Sequence, residues 1–342
     1  MSLRNLNVVN KIPKQLKDNF KNPKIVSIYK KFERNLNIKE NFIVAVSGGP
    51  DSLALAFLAK IYSIKKGLNI KFLIVNHKLR TDSTKEAKTV KKVLKKFGID
   101  LKILNWNGRK PIKNIQSLAR NKRYDLLFNE SKKYNIDNIL LGHHQDDLFE
   151  NFFIRLLRGS GLKGLISLDK KVQINGKNLL RPLIDQSKEN LIYITKNVFN
   201  FYVEDPTNND EKYKRIIIRH LIEQLKKNGL DKKKFRNTIS NLKYSDNVIK
   251  FYVSQNIEKN SFFLKKKEKL ILRKEYFEQP FEVIFRSLSE SIRLIGKKGY
   301  FVRGKKLNKI ISKIEKSRAF KQTIGGCIIE KVNQTIIVSK EH

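Results

Sequence analysis

Six consecutive residues, Ser47-Gly48-Gly49-Pro50-Asp51-Ser52, join two adjacent glycines to two hydroxyls and a carboxylate. Before them runs Phe42-Ile43-Val44-Ala45-Val46, an apolar stretch without polar alternation, as in a strand buried on both faces. After them, Leu53 to Ile64 is rich in Leu and Ala and reads as a helix. Strand, glycine pair and helix together aim backbone N–H groups and a positive helix end at an anion. The glycines allow close backbone approach. No Gly-Lys-Ser/Thr follows them, so this phosphate loop is not of the Walker type. Asp51 in the first helical turn is favoured by the helix dipole alone. Beside phosphates, however, a carboxylate needs a cation between, so Asp51 is the expected Mg²⁺ ligand, with Asp147 a second candidate.

A second cluster follows at Gly142-His143-His144-Gln145-Asp146-Asp147, with Glu150 one turn on. Leu148, Phe149, Phe152, Phe153, Leu156 and Leu157 make the predicted buried face of its helix, while Asp147 and Glu150, three apart, share another stripe. Acids are common at helix starts; next to two histidines at a strand end they also suit a cation or an amine. Zinc on both histidines is disfavoured, because adjacent side chains diverge by ~100° on a helix and no cysteine stands nearby. His77 and Arg80 follow another strand, and Arg120 and Arg123 lie on a helix; each is individually weak.

These residues need a scaffold. Strands are predicted near 42–46, 70–76, 101–104 and 138–142, and helices near 52–65, 83–97, 114–134 and 145–158. The alternation predicts an α/β fold with a parallel, doubly wound, Rossmann-like sheet, whose ligands sit at the carboxyl ends of the strands. The loops at 47–52, 77–80 and 142–147 all fall there. A basic glycine loop, Arg158-Gly159-Ser160-Gly161-Leu162-Lys163-Gly164, precedes a hairpin over 172–181 turning at Asn175-Gly176. We expect a lead-in over 1–40, a catalytic domain over 41–209, and a basic region over 210–342 that is mainly helical (213–227, 232–255, 280–295, 306–317) and ends in short β pieces.

The formal charge is +41, from 73 basic and 32 acidic residues. Lysine-rich codon usage alone would raise it, yet such an excess also suits a polyanion, nucleic acid above all. The start lacks a signal-peptide core and no apolar run reaches ~18 residues, so a cytoplasmic, membrane-free protein is expected. One cysteine, Cys327, excludes an internal disulfide or a cysteine-built metal cluster.

Taken together, these stretches resemble the tRNA(Ile)-lysidine synthases of the PP-loop, or N-type, ATP pyrophosphatase superfamily. The superfamily signature is Ser47 to Ser52; more specific are His77-Lys78-Leu79-Arg80 and the run from Leu141 to Asn151 continuing through Arg158 to Leu165. Arg181-Pro182-Leu183, Glu204 to Asn208, Arg215 and Arg219 add agreement. The match covers roughly residues 40–220; the tail resembles the family loosely. Asn76 departs from the aspartate expected before the histidine. The resemblance implies lysidine formation on the wobble cytidine of a CAU-anticodon isoleucine tRNA, from ATP, Mg²⁺ and free L-lysine. Ser47, Gly48, Gly49, Pro50, Asp51, Ser52, His77, Arg80, Gly142 and His143 would bind ATP. Asp51, Asp147, Glu150, Arg123 and Arg120 would be catalytic: Asp51 at Mg²⁺ and pyrophosphate, Asp147 and Glu150 at the lysine amine or the metal, and the arginines at the adenylate. Arg158, Lys163, Arg181, Arg215 and Arg219 would meet the tRNA, and a homodimer is possible. The alternatives are a PP-loop tRNA thiolase, another adenylating synthetase, or a tRNA binder with a vestigial ATP site.

Overall fold

The structure, a computed structural model, describes residues 13–108, 115–204, 214–264, 268–297 and 302–341. Helices α1 (Lys14–Asn19) and α2 (Pro23–Leu36) lead in, the latter capped by the Asn22 side chain on the N–H of Lys24 and Ile25. Then follow β1 (Phe42–Val46), α3 (Pro50–Lys66), β2 (Ile70–Asn76), α4 (Ser83–Lys96), β3 (Leu101–Asn105), α5 (Ile115–Lys133), β4 (Asn138–Leu140) and α6 (Gln145–Leu156). After α7 (Leu162–Leu165) come the hairpin strands β5 (Lys171–Ile174) and β6 (Lys177–Leu180), then α8 (Lys188–Phe199) and α9 (Lys214–Lys227). The described chain divides into two compact units between Gly229 and Leu230. The expected boundary at 209/210 and the stretch Asp205 to Asn208 lie outside the described residues.

The first sheet has the order β3-β2-β1-β4-β6-β5. All its neighbours are parallel except β5 and β6, which pair antiparallel across Asn175 and Gly176, both at positive φ as a tight hairpin turn requires. The hairpin thus sends β6 back parallel to β4, a pairing the sequence left open. Strand β1 alternates between two cores. Phe42, Val44 and Val46 face α2, α3, α4 and α8, while Ile43 meets Leu73, Ile139, Leu127 and Phe128 on the α5 side. Chain order reverses between β1 and β4, the crevice where open α/β sheets bind ligands.

The second unit holds α10 (Lys232–Asn260), β7 (Ser261–Leu264), β8 (Lys269–Leu272), α11 (Phe281–Gly296), α12 (Gly304–Lys316), β9 (Phe320–Ile324), β10 (Cys327–Val332) and β11 (Thr335–Lys340). The expected terminal β pieces belong to one antiparallel sheet, β7-β8-β11-β10-β9, packed on α11 and α12 through Leu288, Ile292, Leu307 and Ile311. The short strands β7 to β9 carried no alternation long enough to predict. No described helix is long and apolar enough to cross a membrane.

Candidate active site

The loop after β1 is held by Ser52. Its buried Oγ accepts from the N–H of Ser47 (3.0 Å) and Gly48 (3.1 Å) and donates to the carbonyl of Gly49 (3.0 Å). Two of the N–H groups expected to face an anion are therefore spent on shaping the loop. What remains for a ligand is the N-terminus of α3, where Asp51 and Ser52 lie in the first turn, whose N–H groups have no acceptor inside a helix. The two glycines differ. Gly48 has φ +91°, and a Cβ there would stand 2.9 Å from Val90 Cγ2, so the fold itself demands glycine. Gly49 has an ordinary φ of −71°, and a Cβ would meet nothing nearer than Ser47 Oγ at 3.9 Å. The open space above Gly49 is room for a ligand. The loop is fastened from behind by Val203, whose N–H donates to the Gly48 carbonyl (3.0 Å), and by Thr195 Oγ1 on the Pro50 carbonyl (2.8 Å).

Gly142, after β4, brings the second segment against the first: a Cβ there would lie 3.3 Å from the Asp51 backbone and from Ser52 Cα. His144 then caps α6. Its Nδ1 accepts from the N–H of Asp146 (3.2 Å), and its own N–H donates to Asp147 Oδ2 (3.0 Å), a reciprocal capping box. On the other side of the ring, Nε2 lies 3.5 Å from Asp51 Oδ2 and 3.6 Å from Asp147 Oδ2. Burial resists charging this imidazole, but the hydrogen bond and charge of Asp51 with the charge of Asp147 outweigh it and draw its pKa above the ordinary value. The Asp146 N–H opposes that pull, since a second ring proton would break the cap. Burial likewise opposes the Asp147 charge, and the two histidines with the His144 N–H hold its pKa below the usual carboxylate range. In the sequence, His144 stands out only as a zinc candidate. Its position three residues before Asp147, in the spacing of a capping box, was the available signal.

Glu150 is buried on α6 and receives Arg219 of α9 at 2.5 Å on Oε1, with Arg215 Nε 4.0 Å from Oε2. Burial pushes the Glu150 carboxyl upward while Arg219 pulls against it and stays charged, so the two form an ion pair. Oε2 of Glu150 and Oδ1 of Asp51 are buried without a hydrogen-bond partner. His143 accepts on Nδ1 from Arg181 Nε (3.3 Å), and burial holds its pKa below the ordinary value. Arg181, expected at the tRNA, is buried and also donates to the Asp169 carbonyl (2.7 Å). Leu156 and Leu157, expected on the buried face of α6, are 47% and 69% exposed, where the helix runs out into Arg158 and Gly159.

On the opposite flank, Arg123 Nε donates to His77 Nε2 (3.4 Å), and burial together with Arg123 lowers the His77 pKa to about 4. Arg120 reaches Tyr124 Oη (3.3 Å), and Arg80 pairs with Glu86 (2.9 Å). Asn76, where aspartate was expected, is buried and fully used: Nδ2 donates to Thr84 Oγ1 and Asn105 Oδ1, and Oδ1 accepts the N–H of Lys78. Arg158 is exposed on the turn after α6, and Lys163 is exposed on α7. Asp51, Asp147 and Glu150 are thus brought to one edge, with Gly49 open beside them.

A family model described as a PP-loop domain matches residues 20–225. The chain is 34% identical over 303 residues to the tRNA(Ile)-lysidine synthase of Wolbachia pipientis wMel, covering 87% of this chain and 70% of that protein. It is 29% identical over 335 residues to the tRNA(Ile)-lysidine synthase of Rickettsia bellii (strain OSU 85-389), covering 92% and 74%. Among solved structures it is similar to the U34-tRNA thiolase NcsA from Methanococcus maripaludis, whose structure includes a four-iron–four-sulfur cluster. There the TM-score is 0.54 at 18% identity, over 65% of this chain and 78% of that one, a likeness of fold alone.

Proposed function

Because this chain belongs to the tRNA(Ile)-lysidine synthase family of PP-loop proteins, we propose that it joins the ε-amine of free L-lysine to C2 of the wobble cytidine in a CAU-anticodon isoleucine tRNA, using ATP. The observation that carries this reading is the meeting of Asp51, from the loop after β1, with Asp147, from the helix after β4, on one imidazole. A phosphate-facing helix end and an amine-ready acid pair thereby share one crevice.

The C2 oxygen of cytidine is amide-like and leaves poorly. In the first step that oxygen attacks the α-phosphorus of ATP, and the bond to pyrophosphate breaks. In the second, the lysine ε-amine attacks C2, its proton is lost, and AMP departs with the oxygen. We assign the pyrophosphate to the first turn of α3 and the space over Gly49. Glu150, whose Oε2 has no hydrogen-bond partner and lies 4.0 Å from Arg215 Nε, and Asp147 are the acceptors for the lysine amine. Arg123 and Arg120 offset the negative charge of the adenylate. Arg158 and Lys163 meet the tRNA backbone, and we assign Arg181 to holding His143. Mg²⁺ suits the Asp51 end: Oδ1 is a hard, buried, unpartnered oxygen. An ion there would be held by one or two carboxylates together with phosphates and water. When bound, it would neutralise phosphate charge. A tRNA substrate places the reaction in the cytoplasm.

Thiolase chemistry on an iron–sulfur cluster needs several thiolates; this sequence has only Cys327, buried in β10, its thiol pushed up to about 11 by burial and the charge of Glu341. The deciding experiment supplies ATP, Mg²⁺ and labelled lysine with a CAU-anticodon transcript. Label in the RNA, with AMP and pyrophosphate released, is expected; ADP as product, or label that requires a sulfur donor, would overturn the assignment.

A further inference from the structure

His144 has no task in the chemistry above, yet it stands between the two halves of the site. The ring belongs to a residue only 5% exposed. Because Nδ1 accepts the N–H of Asp146, the ring proton resides on Nε2. That single N–H faces Asp51 Oδ2 at 3.5 Å and Asp147 Oδ2 at 3.6 Å. The carboxylates come from the ends of different strands and would repel one another without a shared donor. Both face His144 through Oδ2, and Asp51 Oδ1 is left as a buried oxygen with no hydrogen-bond partner. Asp147 Oδ2 accepts a hydrogen bond from the His144 backbone N–H (3.0 Å) and lies 3.6 Å from its Nε2, so one residue approaches it from two directions.

We propose that His144 is a positioning residue for the reaction: its Nε2–H holds the Asp51 and Asp147 carboxylates in one frame, so that the adenylating loop and the amine site are set together. The inference rests on the function proposed above. The rival explanation is that His144 only caps α6, and side-chain chemistry separates the two. In asparagine, Oδ1 is bonded to Cγ as Nδ1 is in histidine, so His144→Asn keeps a good N-cap acceptor and has no atom at the place of Nε2. Glutamine reaches that place with an N–H donor and gives up the cap.

The test measures thermal midpoint, kcat and KM for lysidine formation in the wild type, His144→Asn and His144→Gln. His144→Asn should keep the wild-type midpoint and the KM for tRNA while kcat falls ~10–100-fold, the usual consequence of losing an orienting partner. His144→Gln should melt earlier yet turn over faster than His144→Asn. A kcat for His144→Asn within about twofold of wild type, or a glutamine variant no better than the asparagine one, would overturn the proposal. A wild type that forms no lysidine would instead count against the function. Nitrogen-15 NMR of the histidine rings checks, independently of turnover, the tautomer that positioning requires. One ring signal with its proton on Nε2, missing from His144→Asn, is expected; a proton on Nδ1 of His144 overturns the proposal.

Discussion

Gly48 and Gly49 adjoin in the chain and differ in what they would tolerate. Gly48→Ala forces a side chain into the left-handed region, which costs about 1–2 kcal/mol, and presses it on Val90 and Val203, which costs about 1–3 more. It should lower the urea midpoint clearly. Gly49→Ala should leave that midpoint unchanged and weaken ATP binding, measured by calorimetry at least tenfold; unchanged affinity would mean that the space above Gly49 is not where phosphates lie. The sequence presented the two glycines as one signal, because what separates them is contact with Val90 and Val203, both distant along the chain. His77 supports a second test. Its folded pKa of about 4 lies below the ordinary histidine value near 6.5. The unfolded chain therefore binds the proton first as pH falls. The stability held above pH 6.5 is lost progressively down to about 4, and is constant at higher pH. The stability difference between wild type and His77→Gln should shrink as the pH falls from 7 to 4.5; a difference that grows would reverse the sign and refute the assignment.

Among the elements, α6 and α9 are tied by Glu150 and Arg219. Arg219→Ala would leave a buried carboxylate without its cation, at a cost of roughly 1–3 kcal/mol, and Glu150→Gln in the same chain should recover part of that loss. Denaturant titrations of the two single variants and the double variant measure this; strictly additive losses would show that the contact contributes nothing. The helices and parallel strands that carry the site were legible because each has a long apolar period. The acid pair was legible for the same reason, its stripe being distinct from Phe149 and Phe152. The pairing of Arg219 with Glu150 was not, since arginine on a basic amphipathic helix looks like any solvated cation until the helix is placed. Asn76 was likewise opaque: its value lies in Thr84 and Asn105, which only the sheet brings beside it.

For the molecule as a whole, the excess of 73 basic over 32 acidic residues is the dominant long-range property. If it serves tRNA binding, affinity should fall steeply with salt, by ~10³-fold between low and moderate ionic strength, as filter binding would measure. A flat response would assign the charge to composition alone. The sequence conveyed this charge in full, but not its use, because the lysines of α4 and α12 fall opposite Ala87, Val90 and Leu94 and opposite Leu307, Ile310 and Ile314, where solvated lysines fall on any amphipathic helix.

The hydrogen bond from Val203 to the Gly48 carbonyl has a consequence in time. On the ribosome, all six strands of the first sheet are synthesised before the segment that fastens the loop between β1 and α3. A nascent chain ending at Phe199 would contain every strand of that sheet and the Thr195 tie to Pro50, and would lack the Val203 tie to Gly48. A premature stop just past α8 would therefore leave the loop tied by Thr195 alone, with the Gly48 carbonyl lacking its donor.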